Sequence, residues 1–217
     1  LLVAKGRMPA MIATLAMQSA CRSIINQLGQ GGPFSVNSEN YDSFRKIAAG
    51  GIQIGSFKIP TLMIIFILFS ILFHIIMTRT RFGKHIYAVG SNETSARLAG
   101  INVDRVKIAV FVVTGFMCGL TSWLYASRVM SVAAASTGNL YEMDAIAAVA
   151  IGGTSMSGGK GKIIGTFLGV LMFKMINNML TMADVPTFLN GAISGAIIIV
   201  AVLLQNYQAI RDNGKLG

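Results

Sequence analysis

The residues best placed to do chemistry lie in YEMDAIAAVAIGGTSMSGGKGK, residues 141–162. The glycines and Lys160 suggest a phosphate cradle, in which backbone N–H groups hold the anion and a lysine reaches it. That chemistry needs G-x-x-x-x-G-K-[ST]. Thr154 stands where the first glycine belongs, and Gly161 stands where the Mg-binding hydroxyl belongs. The run before it is apolar and helix-like rather than a strand. Nucleotide binding by this loop is therefore rejected. Glycines 152, 153, 158, 159, 161 and 165 read instead as permitting a tight turn or close helix contact.

The other reactive types are scattered. Glu142 and Asp144 are two apart, so on a helix they point to different sides and do not form an acid–base pair. His74 and His85 are isolated from other ligand types, and no metal spacing occurs. Cys21 and Cys118 each sit inside an apolar run and read as small packing residues rather than a disulfide or metal pair. No Ser-His-Asp set or H-E-x-x-H is present, so no catalytic residue is assigned and no enzyme is expected. Arg22 and Lys174 fall toward the outer part of apolar runs, where snorkelling to an interface is the simplest reading. Glu142, Asp144, Asn177 and Asn178 are the candidates for lining a polar path, the asparagines also for bonding across helices.

Such residues need elements to hold them, and the composition points to a membrane. The chain of 217 residues is 53% hydrophobic and only 12% charged, yet its net charge is +10. Its mean hydropathy is +0.65. A basic nucleic-acid binder would be rich in charge, so no nucleic acid is expected. Apolar residues facing lipid, with positive charge gathered in loops on one side, explain both facts.

A helix needs about 20 apolar residues to cross a bilayer. Runs at 59–77 and 108–127 hold no charge, and neither does 185–204. The run 163–182 carries only Lys174, and 8–28 carries Arg22. The segment 142–157 is expected to be a short or irregular crossing. The fold class is thus all-α, a polytopic membrane helix bundle. The chain opens on Leu1-Leu2-Val3-Ala4, which reads as the tail of an earlier apolar helix, so spans before residue 1 are expected.

Loop charge orients the spans. The loop 78–107 carries Arg79, Arg81, Lys84, Arg97, Arg105 and Lys107 against Glu93 and Asp104, and is assigned to the cytoplasm. The segment 29–58 is then external. Arg211 and Lys215 put the C-terminal tail inside, and Lys160 and Lys162 fall on the same side. Gly115 and Gly119, Gly165 and Gly169, and Gly191 and Gly195 form three small-x-x-x-small pairs, read as helix-packing faces.

Within 78–107 a short helix is signalled by Ser91 or Asn92 as N-cap, Glu93 and Arg97 four apart, and Gly100 as stop. Such a helix is too short to be stable alone, so it makes sense docked against something.

Four stretches carry a family resemblance: MIATLAM, TRFGKHIYAVGSNETSARLAGINVDRVKI, YEMDAIAAVAIGGTSMSGGKGKIIGTFLG and GAIIIVAVLL. With them the chain resembles the membrane permease of a ribose-type sugar importer driven by an ATP-binding cassette (ABC), in the branched-chain amino acid/ribose permease superfamily. The resemblance covers nearly the whole chain and implies an importer-permease bundle. It implies a pair of permeases, a homodimer or two close paralogues, in the bacterial cytoplasmic membrane. It also implies two cytoplasmic ABC ATPase subunits that carry the P-loop, ATP and Mg, and an external sugar-binding protein, periplasmic or at the surface. No cofactor would bind the permease itself. Ser91, Asn92, Glu93, Ala96, Arg97, Leu98 and Gly100 would then be the ATPase-coupling residues. Gln205 stands where the family often has an acid. The competing reading is a secondary transporter or channel for a small polar solute, which would need ion-coupling carboxylates in its spans.

Overall fold

The computed structural model describes residues 2–6, 8–35, 44–46, 50–54, 57–184, 186 and 189–213. Parts of the 29–58 segment, the start of the 185–204 run and Lys215 lie outside the described residues. Among the described residues the regular structure is helical apart from two small two-stranded sheets. Its elements are α1 (Ala10–Leu28), β1 (Pro33–Ser35), β2 (Gly51–Ile54), β3 (Phe57–Pro60), α2 (Thr61–Arg79), α3 (Arg81–Ser91), α4 (Glu93–Leu98), α5 (Val103–Val129), β4 (Ser131–Ala133), α6 (Tyr141–Ile151), α7 (Ile163–Met182) and α8 (Asn190–Asn213).

Among the described residues three helices, α2, α5 and α7, are long and apolar enough to cross a membrane. Helix α2 follows Pro60, has no glycine or proline inside, and has no buried residue. With no residue buried and an apolar surface on most sides, it leaves exposed the kind of surface that lipid can cover. Helix α5 has 27 residues, about 40 Å at 1.5 Å per residue. Helix α1 has 19 residues, the length to span. Gln18, Arg22, Asn26 and Gln27 dilute its apolar character, and it falls outside that group.

The 142–157 segment holds a short helix that a glycine pair interrupts. Helix α6 has only 11 residues and ends at Ile151. That is about 16 Å, against roughly 30 Å of hydrocarbon, so the helix does not cross alone. A glycine pair ends it. Gly152 is the C-cap, and Gly153 follows at φ 77°. The Gly153 N–H donates to the Ala150 carbonyl and the Thr154 N–H to the Val149 carbonyl, a Schellman closure that calls for glycine in the left-handed conformation.

The chain divides into two compact units. One comprises 1–69 with 102–137. In it β1 pairs antiparallel with β4, Phe34 opposite Val132, and β2 with β3. Ser127, fully buried on α5, donates to the Phe44 carbonyl at 2.6 Å. The Phe44 and Trp123 rings meet edge to face at 6.2 Å. The Arg22 guanidinium donates to the Ala135 carbonyl at 3.1 Å.

The other unit comprises 70–101 with 138–217. Helix α6 packs on both α7 and α8. Its core is Ala147, Ala148 and Phe173, with Ile151, Val170, Ile197 and Ile198 around them. Alanines on α6 let the neighbouring helices come close, and Phe173 fills the space they leave.

Candidate functional site

The 81–98 segment folds as two helices in sequence, α3 and α4, each capped by its own residues. Thr80 begins α3, its hydroxyl accepting from the Gly83 N–H at 3.2 Å. Gly83 sits where an added Cβ would strike the Ile76 and Met77 backbone, so glycine is what lets α3 fold back tightly on the end of α2. Asn92, not Ser91, is the cap of α4, accepting from the Ser95 N–H at 2.9 Å. Ser91 is the last residue of α3.

Gly100 closes α4 at φ 79°. Its N–H donates to Arg97, and the Ile101 N–H donates to Ala96, a second Schellman closure. A six-residue helix is unstable alone. Here it is capped at both ends and anchored by Ala96, which is buried. Glu93 lies in its first turn and Arg97 in its last, both favourable to the helix dipole. Leu98, at its end, is 85% exposed.

Sequence reasoning treats 80–91 as loop, yet Arg81–Ser91 is helical. The signal was there: Thr80 as cap, then Phe82, Ile86 and Val89 at helical spacing, all turned inward while Arg81, Lys84 and His85 are exposed. Glycines at 83 and 90 weaken that pattern.

The glycine-rich turn lies against this pair. A hydrogen bond from the Ser155 N–H to the Lys160 carbonyl, 2.9 Å, and one from Gly158 N–H to Ser155, 3.1 Å, close it. Gly158 and Gly159 both have positive φ, 86° and 71°. A Cβ added at Gly90 would stand 2.8 Å from the Gly159 nitrogen, one at Gly158 2.5 Å from the Gly90 oxygen, and one at Gly159 2.7 Å from the Ser91 Cα. Beside this contact the Tyr87 hydroxyl donates to the Gly161 carbonyl at 2.8 Å.

The polar candidates divide. Asp144 on α6 meets Lys174 on α7 at 3.8 Å. Lys174 therefore has a carboxylate partner, which its sequence position did not suggest. Asn177, one turn beyond Lys174, has its carboxamide oxygen buried with no hydrogen-bond partner among the described residues. Asn178 donates to the Met182 sulfur at 3.9 Å. Glu142 and Asp144 share the first turn of α6, where the helix N-terminus favours acids.

The glycine pairs also divide. A Cβ at Gly169 would strike the Ala148 carbonyl and stand 2.7 Å from the Gly152 nitrogen, and one at Gly165 would strike the Gly152 carbonyl. An added Cβ at Gly191 would meet the Leu140 side chain at 3.2 Å. Gly115, Gly119 and Gly195 have nothing beyond their own helix backbone within 4 Å of an added Cβ among the described residues. Cys21 and Cys118 are free and exposed rather than packed within the chain.

The comparisons with known proteins add to this geometry. Residues 1–202 match the family described as the branched-chain amino acid transport system / permease component. The chain belongs to this permease family. The permease chain is 39% identical over 207 residues to the ribose import permease protein of Haemophilus influenzae, covering 95% of the chain and 62% of that relative. It is 38% identical over 208 residues to the ribose import permease protein of Bacillus subtilis, 94% and 62% covered. It is 42% identical over 147 residues to the xylose transport system permease protein of Escherichia coli K12, 68% and 37% covered. The permease chain thus spans about three fifths of the length of the ribose permeases it matches. No solved structure matches it.

Proposed function

We propose that the protein is the transmembrane subunit of an ABC importer that moves a small sugar, ribose or a related monosaccharide, into the cell. The observation that carries this reading is α4, a six-residue helix capped at both ends that presents Leu98 to the outside. A helix too short to persist alone, yet built so carefully, suits a part that receives a push from a partner. Ser91, Asn92, Glu93, Ala96, Arg97, Leu98 and Gly100 are its proposed ATPase-coupling residues. The identity to ribose import permeases supports the sugar class.

In this reading the subunit catalyses nothing itself, and ATP and Mg act in the cytoplasmic ABC ATPase. A second permease copy or close paralogue completes the path, and an external sugar-binding protein delivers the sugar. The loop 78–107 and the C-terminus face the cytoplasm, and the 29–58 segment faces outward. Asp144, Lys174 and Asn177 are the groups best suited to sugar hydroxyls, with Glu142 and Asn178 beside them. Alternating access then follows from a shift between two arrangements of the spans, biased by ATP in the partner.

The test is deletion of residues 91–100 in the full-length permease expressed with its neighbouring subunits. Membrane insertion should persist while capture of the ATPase is lost. Undiminished co-purification of the ATPase with the deletion variant would reject the coupling assignment. Uptake that runs without ATP would point to the secondary transporter or channel instead.

A further inference from the structure

We propose that the contact between α3 and the 155–161 turn is a rigid linkage through which the α3–α4 pair moves α6 and α7, with Tyr87, Gly90, Gly158 and Gly159 as its positioning residues. The inference rests on the coupling reading above and adds the route by which a push on the pair reaches the membrane helices.

Three features carry it. First, the contact is backbone on backbone: Cβ positions at Gly90, Gly158 and Gly159 all fall within 2.5–2.8 Å of main-chain atoms across the joint. No rotatable side chain lies between these atoms to absorb a small displacement, and close-packed protein transmits strain. Second, the joint is held at two points on one face of α3. Tyr87 and Gly90 are three residues apart and so lie on the same side, one bonded to Gly161 and the other seated against Gly158 and Gly159. Two attachments prevent the turn from pivoting about one. Third, the turn continues into α6 and α7 without a loose segment. Gly153 closes α6, the Thr154 and Thr166 hydroxyls meet at 3.3 Å, and Gly165 and Gly169 press on the Gly152 and Ala148 backbone. The last links of this series are the helices that carry Asp144 and Lys174. Gly158 and Gly159 must also be glycine for conformational reasons, since both have left-handed φ.

The experiment uses the full-length permease, its ATPase and its sugar-binding protein in phosphatidylethanolamine–phosphatidylglycerol liposomes, with radiolabelled ribose as the probe. Gly90→Ala adds one methyl group against the Gly159 nitrogen. Alanine is the better helix former, so α3 is not weakened by the change itself. ATPase capture and ATP hydrolysis should persist, while ribose uptake per ATP falls about fivefold or more, the low end of usual coupling strengths. Tyr87→Phe removes a hydroxyl and adds no atom, and should lower uptake per ATP about threefold. If Gly90→Ala does not reach the membrane, Tyr87→Phe decides alone.

Wild-type uptake per ATP in these variants overturns the linkage. So does loss of ATPase capture by them, because the turn would then merely shape the docking surface. A wild-type permease that captures no ATPase removes the coupling reading and the linkage with it, and that failure is recognised in the wild type rather than in the variants.

Discussion

Segments are fastened to helices in two different ways in this chain. In the unit that holds α5, side chains do the fastening: the Ser127 hydroxyl on the Phe44 carbonyl, Trp123 against the Phe44 ring, and Arg22 on the Ala135 carbonyl. In the unit that holds α6 and α7, glycines bring main chain against main chain, Gly165 and Gly169 on α6 and Gly158 and Gly159 on α3. A side-chain joint can absorb a change by turning a rotamer. A backbone joint has nothing to turn, so an added atom must displace a whole segment. The first kind suits holding a segment in place, and the second suits passing movement on.

Three substitutions break or sharpen that contrast. The largest effect is expected at Gly169. Valine there should cost about 3 kcal/mol or prevent folding, because its Cβ alone meets the Ala148 carbonyl and the Gly152 backbone. Thermal unfolding of the detergent-solubilised protein measures this, and a melting temperature equal to wild type would show that the backbone joint yields after all. Ser127→Ala should cost less, about 1 kcal/mol, since it deletes one 2.6 Å hydrogen bond at a buried site and adds no volume. The same melt reads it, and a loss as large as at Gly169 would erase the distinction between the joints. The smallest effect is expected at Gly115. Alanine there should change stability by no more than about 0.5 kcal/mol, because among the described residues nothing beyond its own helix lies within 4 Å of the new methyl group. A larger loss would reveal that a second copy or another subunit covers that face of α5.

Much of the local structure was legible because its causes are local. Asn92 and Gly100 bound α4 through hydrogen bonds within a few residues of themselves. The uninterrupted apolar run became α2 because helix formation and lipid compatibility depend on composition over a short stretch. The 142–157 segment was only half legible. Its small apolar residues do form a helix, but Gly153 adopts positive φ and stops it at Ile151. Helix α3 was missed because its two glycines weigh against a helix on propensity. Both are there for contacts, Gly83 with the end of α2 and Gly90 with the 158–159 turn.

The pairing of Asp144 with Lys174 was not legible. Asp144 and Lys174 are thirty residues apart in sequence, and nothing in either run points to the other. Only the packing of α6 on α7 brings them to 3.8 Å.

By itself the sequence determined the apolar, helical, membrane-directed character of the chain, the caps of its short helices and the excess of positive charge in the 78–107 loop. These follow from composition and from neighbours close along the chain. The tertiary structure alone decided which glycines touch. The same four-residue spacing occurs at 115 and 119 and at 165 and 169, yet among the described residues it is the second pair that meets another helix. Spacing puts two small residues on one face of a helix, but what lies opposite that face depends on how distant segments pack.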